Sequence, residues 1–327
     1  MKKKRIIILS ALSTFLFLFY SFTPSAQAEY PDKPITLIVP WAPGGLTDTA
    51  ARALATVISG QYLPVTVAVI NRPGAGGSVG QAELVKSKPD GYTIGMNTGS
   101  CLFIEPHLKK LPYAEDDYYI ILQVFSEESV IAAHPSRPYN NLKELIDYAQ
   151  AHPKEINAGI HAPLTTGHLA FLALEADKKV EFKIVPMGGG GPMKTGLLGG
   201  HVDIAPLSIS EALPYLKAKT LKALGVMGSK PIKGFPEIVP FEKQGFAMEA
   251  PIVGFLMAPR GVSEERVKKL HEAFKKTMED PAFLKVAQAN DMQLEYLNSQ
   301  DARKRFDRLF SHYGSLIKRL GLDKDKK

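Results

Sequence analysis

The chain has 327 residues, Lys+Arg 40 against Asp+Glu 33, and a formal net charge of +7. At 45% hydrophobic and 22% charged it has ordinary globular proportions, which excludes wholesale disorder and collagen-like repeats. One cysteine excludes a disulfide framework and an all-cysteine metal centre, and the length points to about two domains.

The first element is an export address. Residues 1–5 read Met-Lys-Lys-Lys-Arg, an apolar run follows from Ile6 to Phe22, and Ala26-Gln27-Ala28 closes it. A basic head, an apolar stretch and an A-x-A end form a secretory signal with cleavage after Ala28, the alternative being an uncleaved membrane anchor. Cleavage leaves an exported chain beginning at Glu29, with no cysteine nearby for lipid attachment. Lys2, Lys3, Lys4 and Arg5 supply four of the seven positive charges, so +3 remains. Lys324, Lys326 and Lys327 crowd the C-terminal tail, and Lys268, Lys269, Lys275 and Lys276 lie on helical faces without interleaved aromatics. The basic balance is therefore not a nucleic-acid footprint.

Beyond Glu29, strand-like and helix-like segments alternate. Ile35–Val39 reads as a strand, Pro43-Gly44-Gly45 as a turn, and Thr47 to Ile58 as a helix with Asp48 at its positive end. Val65–Ile70 is a strand, Asn71–Gly77 a turn, Ser78–Lys86 a helix and Tyr92–Met96 a strand with Asn97–Ser100 as its exit loop. Strands are expected at Ile120–Phe125, Val130–Ala133, Ile156–Ile160, Phe182–Pro186, Asp203–Leu207, Lys222–Val226, Ile252–Ala258 and Leu294–Leu297. Helices are expected at Leu142–Ala151, Thr165–Glu175, a short run to Leu198, Ser263–Glu279 and Ser299 to about Leu320. This alternation predicts an α/β fold of mainly parallel sheets flanked by helices, with too many units for one sheet and hence two lobes around a cleft. The boundaries expected are 1–28 for the signal, 29–128 with 250–327 for the first lobe, and 129–249 for the second.

Three glycine loops, Pro43–Gly45, Pro73–Gly77 and Gly188–Gly191, each stand between a strand and a helix. A helix start exposes unpaired N–H groups, and glycine lets an anion approach them; tight turns need glycine as well. Gly188 to Thr195 misses the P-loop because Met193 replaces its second glycine, and no cofactor pattern is complete. Gly76-Gly77-Ser78-Val79-Gly80 fits G-x-S-x-G, which leaves a secreted α/β hydrolase using Ser78 as an alternative, although five residues separate it from its strand. His161 and His168 have no metal-ligand spacing, and Cys101 reads as a small buried residue.

Several stretches together resemble one family. They are Tyr30-Pro31-Asp32-Lys33-Pro34-Ile35 with Pro40–Asp48, Asn71–Gly77 with Pro89-Asp90-Gly91-Tyr92-Thr93, Leu197–Asp203, Leu221–Leu224 and Ala258–Val262. In this order they look like the tripartite tricarboxylate transporter substrate-binding proteins, the Bug family of periplasmic receptors. The resemblance implies a monomeric, non-enzymatic Venus-flytrap receptor, without metal or cofactor, that closes on a small di- or tricarboxylate-like acid and delivers it to a membrane permease. A receptor serving a membrane signalling protein is the other reading. By similarity Trp41, Ala42, Gly45, Thr47, Asp48, Ala75, Ser78 and Ser100 contact the ligand from one lobe. Thr165, Thr166, His168, Gly188 and Asp203 do so from the other. Met187-Gly188-Gly189-Gly190 departs from the aromatic and lysine that many members carry there.

Overall fold

A β-branched, apolar run such as Ile35–Val39 forms a strand only where both its faces are covered, and here four of its five residues are buried. This strand, β1, lies inside a sheet of order β11-β4-β10-β3-β1-β2, between β3 and the edge strand β2. The other strands of the sheet are β2 (Val67–Asn71), β3 (Thr93–Thr98), β4 (Tyr118–Glu127), β10 (Ile252–Pro259) and β11 (Leu294–Asn298). The second sheet runs β7-β6-β8-β5-β9, from β5 (Ser129–Ala133), β6 (Asn157–Ile160), β7 (Lys183–Pro186), β8 (Ile204–Ser208) and β9 (Lys222–Met227). The computed structural model describes residues 29–228, 231–232, 235–246 and 248–323. The export signal and the three tail lysines lie outside the described residues. Everything below concerns the compact unit Lys33–Lys327.

Both sheets are mixed, where the alternation of elements reads as mainly parallel. β1 pairs with β2 and β3 in parallel, and β6 with β7 and β8; β10, β4 and β11 in one sheet, and β5 in the other, pair antiparallel. The reason is connectivity. A parallel neighbour requires a helical crossover, whereas β4 runs almost directly into β5 through the single residue Glu128 and β10 comes back from β9, so these strands enter without one. The two crossings are tied together: Ser129 Oγ donates to the Ala250 carbonyl at 2.8 Å, and Ala250 N–H donates to the Met227 carbonyl.

Helices flank the sheets. α1 (Leu46–Ile58) buries Leu46, Leu54, Val57 and Ile58, each worth about 1.5–3 kcal/mol on removal from water. It stops at Ser59 and Gly60, whose φ of +76° glycine adopts without strain. α2 is Ser78–Lys86, and two single-turn pieces, α3 (Ser100–Phe103) and α4 (Glu105–Leu108), follow β3 where an exit loop is expected; Asn97 and Thr98 belong to β3 itself. α5 (Leu142–Ala151), α6 (Thr166–Lys178), α7 (Gly190–Leu198) and α8 (Ile209–Lys217) serve the second sheet, and α9 (Glu264–Glu279), α10 (Pro281–Ala289) and α11 (Ser299–Arg319) complete the chain. No described helix is long and apolar enough to cross a membrane.

Candidate functional site

The first turn of an α-helix leaves N–H groups without intrahelical partners, and a side-chain cap normally takes one of them. Among the described helix starts that lack such a cap, three come together: Gly45 before α1, Thr165 before α6 and Gly189 before α7. Glycine has no side chain to offer, and the Thr165 hydroxyl is turned back to donate to the Ala162 carbonyl at 2.8 Å. Gly45, Leu46, Thr47, Thr165, Thr166 and Gly190, all at these starts, line one cavity of about 60 Å³. N–H donors and positive helix ends from both sheets therefore converge on one small space, the arrangement that holds a carboxylate or phosphate.

Side chains complete the wall. Trp41 donates its indole N–H to Thr98 Oγ1 at 3.0 Å and stands edge-on to His161 across the cavity, with ring centroids 6.3 Å apart. Burial pulls the His161 imidazole below its ordinary pKa against the opposing pull of Glu211, so the ring stays neutral near pH 7. Asp48 lines the cavity, but its carboxylate accepts from Gly44 N–H at 3.0 Å, Asn71 Nδ2 at 2.8 Å and Arg52 Nε at 3.0 Å. Burial raises its pKa, yet the Arg52, Gly44 and Asn71 hydrogen bonds outweigh burial and hold it below the usual value. Its role is to shape the Gly44–Gly45 turn from behind. Ser100 likewise fixes a loop, donating to the Gly76 carbonyl at 2.8 Å.

The two sides are in contact around this cavity. Lys194 Nζ reaches the Gly44 carbonyl at 3.4 Å. A methyl group at Gly191 would lie 2.5 Å from the Pro43 carbonyl oxygen, and one at Gly189 3.0 Å from the Ala42 methyl. Only glycine permits this approach of backbone to backbone.

Of the residues anticipated from the sequence, Trp41, Gly45, Thr47, Asp48, Ser100, Thr165 and Thr166 line the cavity. Ala42 sits at its rim against Gly189. The others lie off the lining for physical reasons. Ala75 is in an exposed turn at φ +44°. Ser78 is buried, donating to Glu105 and accepting from Tyr113 OH at 3.0 Å, so a carboxylate and a phenol hold the hydroxyl that a hydrolase would pair with an imidazole. His168 Nδ1 accepts from Leu164 N–H at 2.9 Å, pinning the loop ahead of α6. Gly188 donates its N–H to the His161 carbonyl. Asp203 pairs with Arg137 at 2.7 Å and accepts from Asn157 N–H at 2.6 Å, joining β6 to the β8 entry. Cys101 is fully buried, its thiol pushed up to about 12 by desolvation.

The cavity also takes in residues not anticipated as ligand contacts: Leu46, Thr98, Gly99, His161, Gly190, Glu211, Pro251 and Ile252, of which Gly190 belongs to a glycine loop singled out from the sequence and His161 is weighed there only as a metal ligand. One signal was readable. Ser208-x-x-Glu211 is a capping-box pattern that marks a helix start, with Glu211 in its first turn.

A family model, "Tripartite tricarboxylate transporter family receptor", matches residues 50–322. The chain belongs to this family of transporter receptors. A UPF0065 protein of Bordetella pertussis is 30% identical over 301 residues, covering 91% of this chain and 93% of its own. The periplasmic binding protein BugD superposes with a TM-score of 0.83 at 26% identity, over 90% of this chain and 99% of that one. MatC of Rhodopseudomonas palustris, solved with bound malate, shares the fold with a TM-score of 0.81 at 23% identity, over 88% of this chain and all of its own. The fold is thus the two-lobed α/β architecture of the periplasmic binding proteins, and the family is one of solute receptors rather than an enzyme class.

Proposed function

We propose that this chain is a periplasmic receptor that captures a small organic acid between its two lobes and delivers it to a tripartite-type membrane permease. The observation that carries the reading is the convergence of three uncapped helix starts, from both sheets, on one small cavity. Such donors are fixed before the ligand arrives, so a carboxylate gains charge-assisted hydrogen bonds without reorganising the protein. The receptor acts as a monomer, exported by residues 1–28 and cleaved after Ala28. Its lobes run 29–128 with 250–327, and 129–249; the hinge is the paired crossing where Ser129 hydrogen-bonds to Ala250 and Ala250 to Met227.

Trp41, Ala42, Gly45, Thr47, Asp48, Ser100, Thr165 and Thr166 serve the ligand site, joined by His161, Gly190 and Glu211. Ala75, Ser78, His168, Gly188 and Asp203 position the loops around it. Binding shifts an open–closed equilibrium by as much as the ligand prefers the closed form, and the permease reads that form.

The test is thermal unfolding of ligand-stripped protein with millimolar malate, succinate, citrate, acidic amino acids and aromatic acids. A binder at 100 times its Kd stabilises by about 2.7 kcal/mol. A melting temperature unmoved by every acid refutes the reading.

A further inference from the structure

One wall of this anion-receiving cavity is itself a carboxylate. Glu211, in the first turn of α8, uses Oε2 to accept from Ser208 Oγ at 3.0 Å and from Ser208 N–H at 3.4 Å, closing a capping box. Its other oxygen, Oε1, is buried with no hydrogen-bond partner among the described residues, and the whole residue is 9% exposed. Oε1 faces the junction of the two lobes. A methyl group at Gly190 would lie 2.9 Å from it, and one at Gly45 3.6 Å. His161 Nε2 approaches the same point, 3.6 Å from that position at Gly190.

Among the described residues no cation is paired with Glu211, and no lysine or arginine lines the cavity. Lys194 turns to the Gly44 carbonyl, and Arg52 to Asp48 and Asn71. Behind Glu211 stands another acid: Glu127 accepts from Ser210 Oγ at 2.6 Å and from Gln293 N–H at 3.0 Å. A buried carboxylate oxygen with no donor carries a desolvation cost that a partner removes. A ligand made only of carboxylates would bring like charge to that oxygen. A ligand carrying a primary ammonium brings three donors and the opposite charge.

We propose that the ligand is an ammonium carboxylate, a zwitterion of the amino-acid type, and that Glu211 is the specificity-determining residue whose Oε1 accepts from its ammonium group. The carboxylate takes the uncapped helix starts. This rests on the anion-receptor reading of the same cavity and narrows its ligand class from organic acids in general to those with an amino group near the carboxylate.

The test uses matched pairs on ligand-stripped protein: aspartate with succinate, glutamate with glutarate, alanine with propionate. Isothermal titration gives each affinity for the wild type, Glu211→Gln and Glu211→Asp. In at least one pair the wild type binds the amino member more tightly by about tenfold or more, the value of one buried charge-assisted contact. Glu211→Gln, which keeps the shape and removes the charge, brings that preference below about threefold, and Glu211→Asp, which keeps the charge, retains its direction. Circular dichroism and ligand-free melting establish that each variant is folded. Diacids binding as tightly as their amino partners, or a preference that survives Glu211→Gln, overturns the proposal and leaves the receptor reading standing. Diacid binding that strengthens as pH falls in the wild type but not in Glu211→Gln also overturns it, since Glu211 then donates a proton to a second carboxylate. Silence from all six compounds overturns the proposal, while the receptor reading is refuted only when the wider thermal screen is silent as well.

Discussion

Substituting Gly191 by alanine tests closure directly. Gly191 is the second residue of α7 and has no positive φ, so alanine is acceptable locally and favours the helix by up to about 1 kcal/mol. The obstacle is across the cleft, where the added methyl would lie 2.5 Å from the Pro43 carbonyl oxygen. An ordinary C···O contact is about 3.3 Å, so the backbones must part by about 0.8 Å at the point where the lobes meet. Neither neighbour is a flexible side chain: the next atoms are Gly44 C at 3.4 Å and Cα at 3.5 Å. Overpacking of this kind costs about 1–3 kcal/mol, which lowers affinity for a closing ligand by about 5- to 150-fold. Opening relieves the clash, so the ligand-free melting temperature should stay level or rise. Gly45→Ala is the companion, because its methyl would meet Glu211 Oε1 and Gly190 Cα at 3.6 Å, ordinary contact that permits closure. Titration calorimetry with the best acid from the thermal screen decides. Gly191→Ala binding within twofold of the wild type would show that the lobes need not approach this closely and would refute the argument.

Trp41 is the only tryptophan of the chain and lines the cavity, so an acid that raises the melting temperature should also shift or quench the intrinsic emission; Trp41→Phe should abolish that signal. A stabilising ligand that leaves Trp41 emission unchanged would place binding elsewhere. Asp48→Asn should cost about 1–3 kcal/mol in urea unfolding, because the Gly44 N–H and Arg52 lose a charged acceptor. The folded pKa of Asp48 is depressed, so its stabilisation holds above the ordinary value of 3.8 and disappears as pH falls through the folded value; unfolding of Asp48→Asn should lack this acid-side loss. Glu127 behaves oppositely. Burial lifts its pKa to about 7 against the hydrogen bonds from Ser210 and Gln293, so stability present below pH 4.5 is lost as pH rises through 7, by about 3 kcal/mol at most. Chemical denaturation of Glu127→Gln should show a flatter profile between pH 4.5 and 7, and an identical slope would refute the assignment.

Much of the fold was readable because its determinants are local. Ile35–Val39, Ser78–Lys86 and Leu142–Ala151 were expected with their observed ends, since apolar runs, turn glycines and an N-cap such as Asn141 act over a few residues. Besides the single-turn α3 and α4, two longer helices escaped. In Ile209–Lys217 the internal Pro214 breaks the expected pattern, and in Pro281–Ala289 the Asp280 cap with proline at the first position was the overlooked mark. The mixed pairing of the sheets escaped as well, because strand direction depends on where the chain crosses between lobes and no residue pattern records that.

At the site the division is sharper. The sequence by itself determined that strands lead through glycine turns into helix starts, because glycine lets the chain turn tightly and a helix start always leaves backbone donors. That Gly45, and not Thr47 or Asp48, begins α1 and that the Thr165 hydroxyl turns away from α6 came only from the structure. Only the tertiary structure decided which side chains face the space those donors share. It turned Ser78 toward Glu105 and Tyr113 and Asp203 toward Arg137, and it brought His161 and Glu211, 50 residues apart in number, to one point beside Gly190. A side chain's direction depends on what packs behind it. A buried carboxylate is held in the cavity wall only because a distant element closes over it.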